Sequence, residues 1–221
     1  MRNPLTREKA PKADKSAGEQ LLELVVIVVV ALGLALGIQA FLVKPYRIPS
    51  ESMVPTLQVG QRVLVNRIGN TFNDPTVGEI LVFHPPAAAN NEGTGKGPSG
   101  QCGVDYGGGQ PCPTAGTQEA DVNFIKRVVA GPGDTIAIRD GHVILNGVSQ
   151  AAKEEGYINP CRPGDECNFP EAIKVPPDHW FMMGDNRGQS DDSRFWGPVP
   201  KKWIIGGAFA TYWPPSRIGL L

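Results

Sequence analysis

From Leu24 to Val43 the chain is an almost unbroken apolar run whose one clearly polar member is Gln39. Twenty helical residues rising 1.5 Å each span about 30 Å, the hydrocarbon thickness of a bilayer. The pattern predicts a transmembrane anchor over residues 21–43. Beyond it, helical periodicity gives way to short runs of period two. Gly60–Arg67 alternates apolar and polar as a half-buried strand does, and Gly78–Phe83 is a more apolar strand stopped by Pro85-Pro86. Val122–Val129 is a further strand. Thr135–Arg139, the turn Asp140-Gly141 and His142–Leu145 read as a hairpin closed by Asn146-Gly147. Trp180–Met183 and Ile204–Trp213 complete the set. The fold class expected is mainly β: one N-terminal transmembrane helix, then a mostly antiparallel sheet or barrel-like domain over residues 44–221.

Two segments break the pattern. Residues 87–121 are rich in Gly, Asn and Ser and read as a long surface insertion. Residues 149–177 are polar and carry prolines. These two insertions hold all four cysteines: Cys102 and Cys112 in the first, Cys161 and Cys167 in the second. An even count beyond a membrane anchor points to disulfides, and the chain-order pairing is the simplest of three connectivities. The competing zinc reading lacks paired C-x-x-C spacing and a nearby histidine, so no metal is expected.

Residues 1–20 carry Arg2, Arg7, Lys9, Lys12 and Lys15 and form a short basic tail. A basic tail before the anchor predicts a cytoplasmic N-terminus and an extracytoplasmic body, despite Lys44 and Arg47 on the far side. Ile38-Gln39-Ala40 resembles the cleavage site of a removable signal peptide. The apolar core is longer than the usual 7–15 residues, so a permanent anchor is expected. Net charge is −1, which gives no electrostatic case for a nucleic-acid partner. Gly 27 and Pro 21 fit a turn-rich sheet protein.

The chemistry centres on Pro49-Ser50-Glu51-Ser52-Met53-Val54, a few residues past the anchor. Ser52 is a weak nucleophile unless a base takes its proton. His84, His142 and His179 lie beside prolines or turns, which speaks against a Ser–His–Asp triad. Lys126 is the better base. Strand alternation puts Lys126 and Val128 on one face and Arg127 on the other. A free lysine is almost wholly protonated at pH 7; bringing its pKa to about 7–8 takes about 4 kcal/mol of desolvation. On the strand alone, a buried neutral amine and a snorkelling surface lysine stay equally open.

Four blocks in order resemble the bacterial type I signal peptidases, the membrane-bound Ser–Lys proteases that trim exported preproteins. They are Ser50–Leu57, Gly60–Arg67, Lys126–Asp134 and Gly184–Gly197, and the likeness covers residues 41–86, 122–148 and 178–213. By matching position the resemblance implies Ser52 as nucleophile, Lys126 as general base and Ser50 as an oxyanion-hole hydroxyl. It implies that Ser190 orients the lysine amine, and that Asp185 with Arg127, and Asp192 with Arg194, are ion pairs shaping the site. Gln61 stands where the family usually has Asp, and the cysteine-bearing insertions are not general to it.

The resemblance further implies hydrolysis without a cofactor. The partners would be preprotein signal peptides with small residues at −3 and −1, bound as a strand between Tyr46–Pro49 and Asn123–Lys126. It implies a single-pass protein of the plasma or inner membrane, monomeric, in contact with the bilayer. Two other readings compete with this one. A catalytically inactive tethered β domain that binds an exported partner would lack an intact Ser–Lys set. A self-cleaving protein of the repressor type would explain the Ser–Lys pair but not the anchor or the Gly184–Gly197 block.

Overall fold

The computed structural model describes residues 16–91 and 95–221, so the five basic residues of the tail lie outside the described residues. Contacts divide the chain at Phe41/Leu42 into two units.

The first unit is one helix, α1 (Ala17–Phe41). It begins earlier than the apolar run because Ser16 and Glu19 cap each other: the Glu19 N–H donates to Ser16 Oγ (3.3 Å) and the Ser16 N–H to Glu19 Oε2 (2.9 Å). It stops two residues short of the expected Val43. Pro45 lacks an N–H and holds Lys44 extended, so the backbone leaves the helix ahead of it. Residues Ala17–Gly37 have mean hydropathy 2.5. Large apolar side chains from Leu21 to Leu36 are 47–65% exposed on every side. A helix that is apolar all round and exposed along these residues has the length and composition of a membrane span.

The second unit is built from twelve strands among the described residues: β1 (Val43–Arg47), β2 (Arg62–Asn66), β3 (Ile80–Phe83), β4 (Phe124–Ala130), β5 (Thr135–Arg139), β6 (His142–Leu145), β7 (Val148–Ser149), β8 (Phe169–Lys174), β9 (His179–Met183), β10 (Val199–Pro200), β11 (Ile204–Trp213) and β12 (Gly219–Leu220). The larger sheet runs β1-β2-β11-β3-β4-β9-β10 with β12 added to β11, and the smaller runs β7-β6-β5-β8. Every pairing is antiparallel.

The larger sheet is curled. Ile48, just past β1, and Ile125 of β4 belong to one buried cluster with Met53, Leu57, Val63, Val65, Ile80 and Val82. Three strands separate β1 from β4 in the sheet, so only a half-barrel brings these residues together. Leu81 and Phe83 face a second cluster with Val128, Trp180, Met182 and Trp196. β3 is thus buried on both faces, which is why its sequence is continuously apolar. A third cluster, Val129, Ala130, Phe181 and Met183 against Ile136, Ile138, Val143 and Ile173, holds the smaller sheet to β4 and β9.

Three expectations need adjustment. Asp140 and Gly141 (φ 51° and 80°) turn β5 into β6, whereas Asn146 and Gly147 (φ 52° and 81°) lead on to β7 instead of closing the first hairpin. β1 and β8 were hidden by Pro45 and Pro170; both are edge strands, where a missing N–H costs no ladder bond. Residues 87–121 are not simply a surface insertion. Ala87, Ala88, Ala89, Cys102, Cys112 and Ala120 are buried, and Ala89 and Ala115 join the Trp196 cluster.

Candidate active site

The segment after β1 is seated by its apolar residues. Ile48, Met53 and Leu57 are fully buried, which carries Ser52 down with them to 6% exposure while Ser50 stays exposed. The two hydroxyls are 3.3 Å apart. Gln61, the departure from the family pattern, is buried and its Oε1 accepts the Gln58 N–H at 2.6 Å, so an acceptor is kept at that position.

Lys126 lies in the middle of β4 and is 4% exposed. Among the described residues no carboxylate lies within ion-pair reach of it. Burial disfavours the ammonium, and the more distant Asp192 and Asp191 only partly offset this, so its pKa falls from 10.5 to about 8. That decides between the two readings of this lysine: it is the buried amine, not a snorkelling one.

Gly184, directly after β9, is where the parts meet. β4 pairs Arg127 with Met183, and one further step in that register sets Lys126 opposite Gly184. A Cβ on Gly184 would overlap both Ser52 O and Ser190 Oγ. Its N–H donates to Asp192 Oδ2 at 3.0 Å. Among the described residues the buried Ser190 hydroxyl has no hydrogen-bond partner.

The two expected ion pairs are formed. Arg127 grips Asp185 through two bonds, Nε to Oδ1 at 2.8 Å and Nη2 to Oδ2 at 2.6 Å, and donates to Gly78 O at 2.8 Å. Thr56 Oγ1 donates to Asp185 Oδ2 at 2.5 Å, tying the Ser52 segment to this pair. Arg194 and Asp192 are both fully buried, Nε to Oδ1 at 2.7 Å. Burial raises the Asp192 pKa, but the Arg194 guanidinium outweighs it and leaves the carboxyl below its usual range. Arg194 Nη2 also holds the carbonyls of Arg187 (2.8 Å) and Ser190 (3.0 Å), which shapes the loop around Ser190.

Both cysteine pairs are bonded in chain order, Cys102–Cys112 and Cys161–Cys167, so all four sulfurs are unavailable as thiolate ligands. Both insertions hold the Gly184–Gly197 loop. From the first, the Cys112 N–H donates to Arg194 O (2.9 Å), Ser99 Oγ to Phe195 O (2.9 Å) and Gln101 Nε2 to Asp191 Oδ2 (3.0 Å).

Several buried polar groups escaped sequence reasoning, Glu154, Asn186 and Arg187 among them. Glu154, 1% exposed, receives Arg187 Nη2 at 2.7 Å and His142 Nδ1 lies 3.0 Å from its other oxygen. The only hint in the sequence was a charged residue within a polar insertion, and nothing linked it to Arg187. The other two histidines face backbone carbonyls, His84 that of Val122 and His179 that of Pro177. None of the three histidines hydrogen-bonds to Ser52.

A model of the family described as signal peptidase, peptidase S26, matches residues 21–213. The chain belongs to that family. The signal peptidase I of Leptolyngbya laminosa is 40% identical over 211 residues, covering 96% of this chain and 87% of that one. Probable signal peptidase I-1 of Synechocystis sp. is 38% identical, covering 88% and 84%. A solved signal peptidase I from Enterococcus faecalis V583 is 24% identical, covering 61% of this chain and 97% of that one, with a TM-score of 0.34.

Proposed function

We propose that this chain is a membrane-bound serine endopeptidase that removes signal peptides from exported preproteins, with Ser52 as nucleophile and Lys126 as general base. One observation carries the reading. Lys126 is buried without an ion-pair partner among the described residues, and its pKa of about 8 leaves a usable fraction of free amine near neutral pH.

In the proposed reaction the free amine takes the Ser52 proton and Ser52 Oγ bonds to the scissile carbonyl carbon. The resulting oxyanion is held by the Ser52 N–H and the Ser50 hydroxyl, a contribution of about 3–4 kcal/mol per donor. Collapse breaks the C–N bond, with the proton passing from Lys126 to the leaving amine. Water then gives a proton to Lys126 and attacks the acyl carbon; the bond from that carbon to Ser52 Oγ breaks, and the proton passes from Lys126 back to Ser52 Oγ. The Ser190 hydroxyl, unpartnered among the described residues, turns to the amine to orient it, and the Asp185–Arg127 and Asp192–Arg194 pairs hold the loop. An Ala-X-Ala segment of the substrate lies extended between Tyr46–Pro49 and Asn123–Lys126. α1 is the bilayer anchor, with the tail cytoplasmic and the monomeric β unit outside.

The inactive-domain alternative needs a broken nucleophile–base set, whereas Ser52 and Lys126 are both intact. The test is purified protein in detergent with a preprotein, read by the mass of the released N-terminal piece. Ser52→Ala and Lys126→Ala are each expected to stop release while the protein stays folded. Release that survives either change overturns the Ser–Lys mechanism.

A further inference from the structure

The Ser52 peptide is held from the far side by one buried amide. Asn186, 5% exposed, donates its backbone N–H to Ser52 O at 3.0 Å and its side-chain Nδ2 to Glu51 O at 3.1 Å. Two consecutive carbonyls fastened to one residue fix the two peptide planes that meet at the Ser52 Cα, and with them the direction in which the Ser52 side chain leaves the backbone. A displacement of a fraction of an ångström at a nucleophile is costly in rate.

An amide end is ambiguous: its oxygen and nitrogen have nearly the same shape, and neighbours decide which faces where. Here the neighbour is Asn159, whose Nδ2 donates to Asn186 Oδ1 at 2.9 Å. That leaves Nδ2 of Asn186, not Oδ1, facing the Glu51 carbonyl. Asn159 is itself fixed: its N–H donates to Asp185 O at 2.7 Å and its carbonyl accepts the Arg187 N–H at 3.0 Å. It lies two residues before Cys161, in the insertion closed by the Cys161–Cys167 disulfide, and the Cys167 carbonyl is tied to the Gly141 N–H at 3.0 Å.

We infer that Asn186 is a positioning residue for the Ser52 nucleophile and that Asn159 sets the orientation of its amide. The second insertion therefore acts on the nucleophile through the Asn159–Asn186 hydrogen bond. The inference rests on Ser52 being the nucleophile.

The test is a double-mutant cycle on the full-length protein in detergent, with steady-state preprotein cleavage as the readout. Asn159→Asp replaces the donor by an acceptor, so the Asn186 amide turns to give it Nδ2 and presents Oδ1 to the Glu51 carbonyl. Expected are a fall in kcat of tenfold or more with KM within twofold, an equal or larger fall for Asn186→Ala, and a double variant no slower than Asn186→Ala alone. Such non-additivity belongs to residues acting through one another and not to two independent structural losses. A kcat within twofold of the parent for Asn159→Asp, or effects that multiply in the double variant, overturns the inference. Should Asn186→Ala fail to fold, the half-buried Asn159→Asp together with Asn186→Ser completes the cycle. Ser52→Ala run in parallel separates the failures. If it is inactive while Asn159→Asp is fully active, only this inference falls; if it is active, the nucleophile assignment falls as well.

Discussion

Gly184 stands against the carbonyl oxygen of Ser52 with no room for a side chain, since a Cβ there would overlap that oxygen and the Ser190 hydroxyl as well. Here the residue is needed for close approach, not for an unusual backbone angle. Gly184→Ala is expected to push the Ser52 segment away from β9, lowering kcat at least tenfold. Overpacking of this kind costs about 1–3 kcal/mol of stability. Preprotein cleavage and urea unfolding measured on one preparation check both parts.

The acid limb of activity follows from Lys126. The proposed base works only as the free amine, so kcat/KM is expected to rise about tenfold per pH unit up to about 8 and then level off. A rate profile measured from pH 6 to 10 checks this. A limb centred near 6.5, where a histidine would titrate, contradicts the assignment.

Burying that amine weakens the fold. The folded pKa, about 8, lies below the unfolded value, so the unfolded chain binds the extra proton between about 8 and 10.5 and stability rises with pH across that window. At pH 7 the gap from 10.5 to about 8, at about 1.4 kcal/mol per pH unit, is a penalty of about 3 kcal/mol. Lys126→Met, similar in volume and uncharged, is expected to be inactive yet more stable by up to that amount at pH 7, with the gain shrinking towards pH 10.5. Urea midpoints at pH 7 and 10 measure the difference.

The Glu154–Arg187 pair behaves oppositely. Both side chains are buried and bonded to each other at 2.7 Å, so removing one strands the other's charge. Glu154→Gln is expected to cost about 3–5 kcal/mol, in line with other broken buried pairs. The loss should also loosen the loop that Arg187 holds through its Nε bond to Gly184 O at 3.0 Å. Hydrogen exchange over residues 184–194 together with urea unfolding reads both effects.

Local chemistry made much of this protein legible before folding. The apolar run, the period-two strands and the Asn-Gly and Asp-Gly turns are written in neighbouring residues, because helix and strand periodicity and positive φ are local properties. The proposed nucleophile and base stand out in the sequence as a serine segment and a lysine on a strand. The tertiary structure alone decided what surrounds them. Whether Lys126 is dry depends on β9 and the 184–194 loop, which are more than fifty residues away in sequence. The pairing of Glu154 with Arg187, and the hold of Asn159 and Asn186 on Ser52, join segments with no shared periodicity. Desolvation and buried hydrogen bonds act between residues brought together by packing, so they exist only once the sheet has curled and the insertions have closed on it.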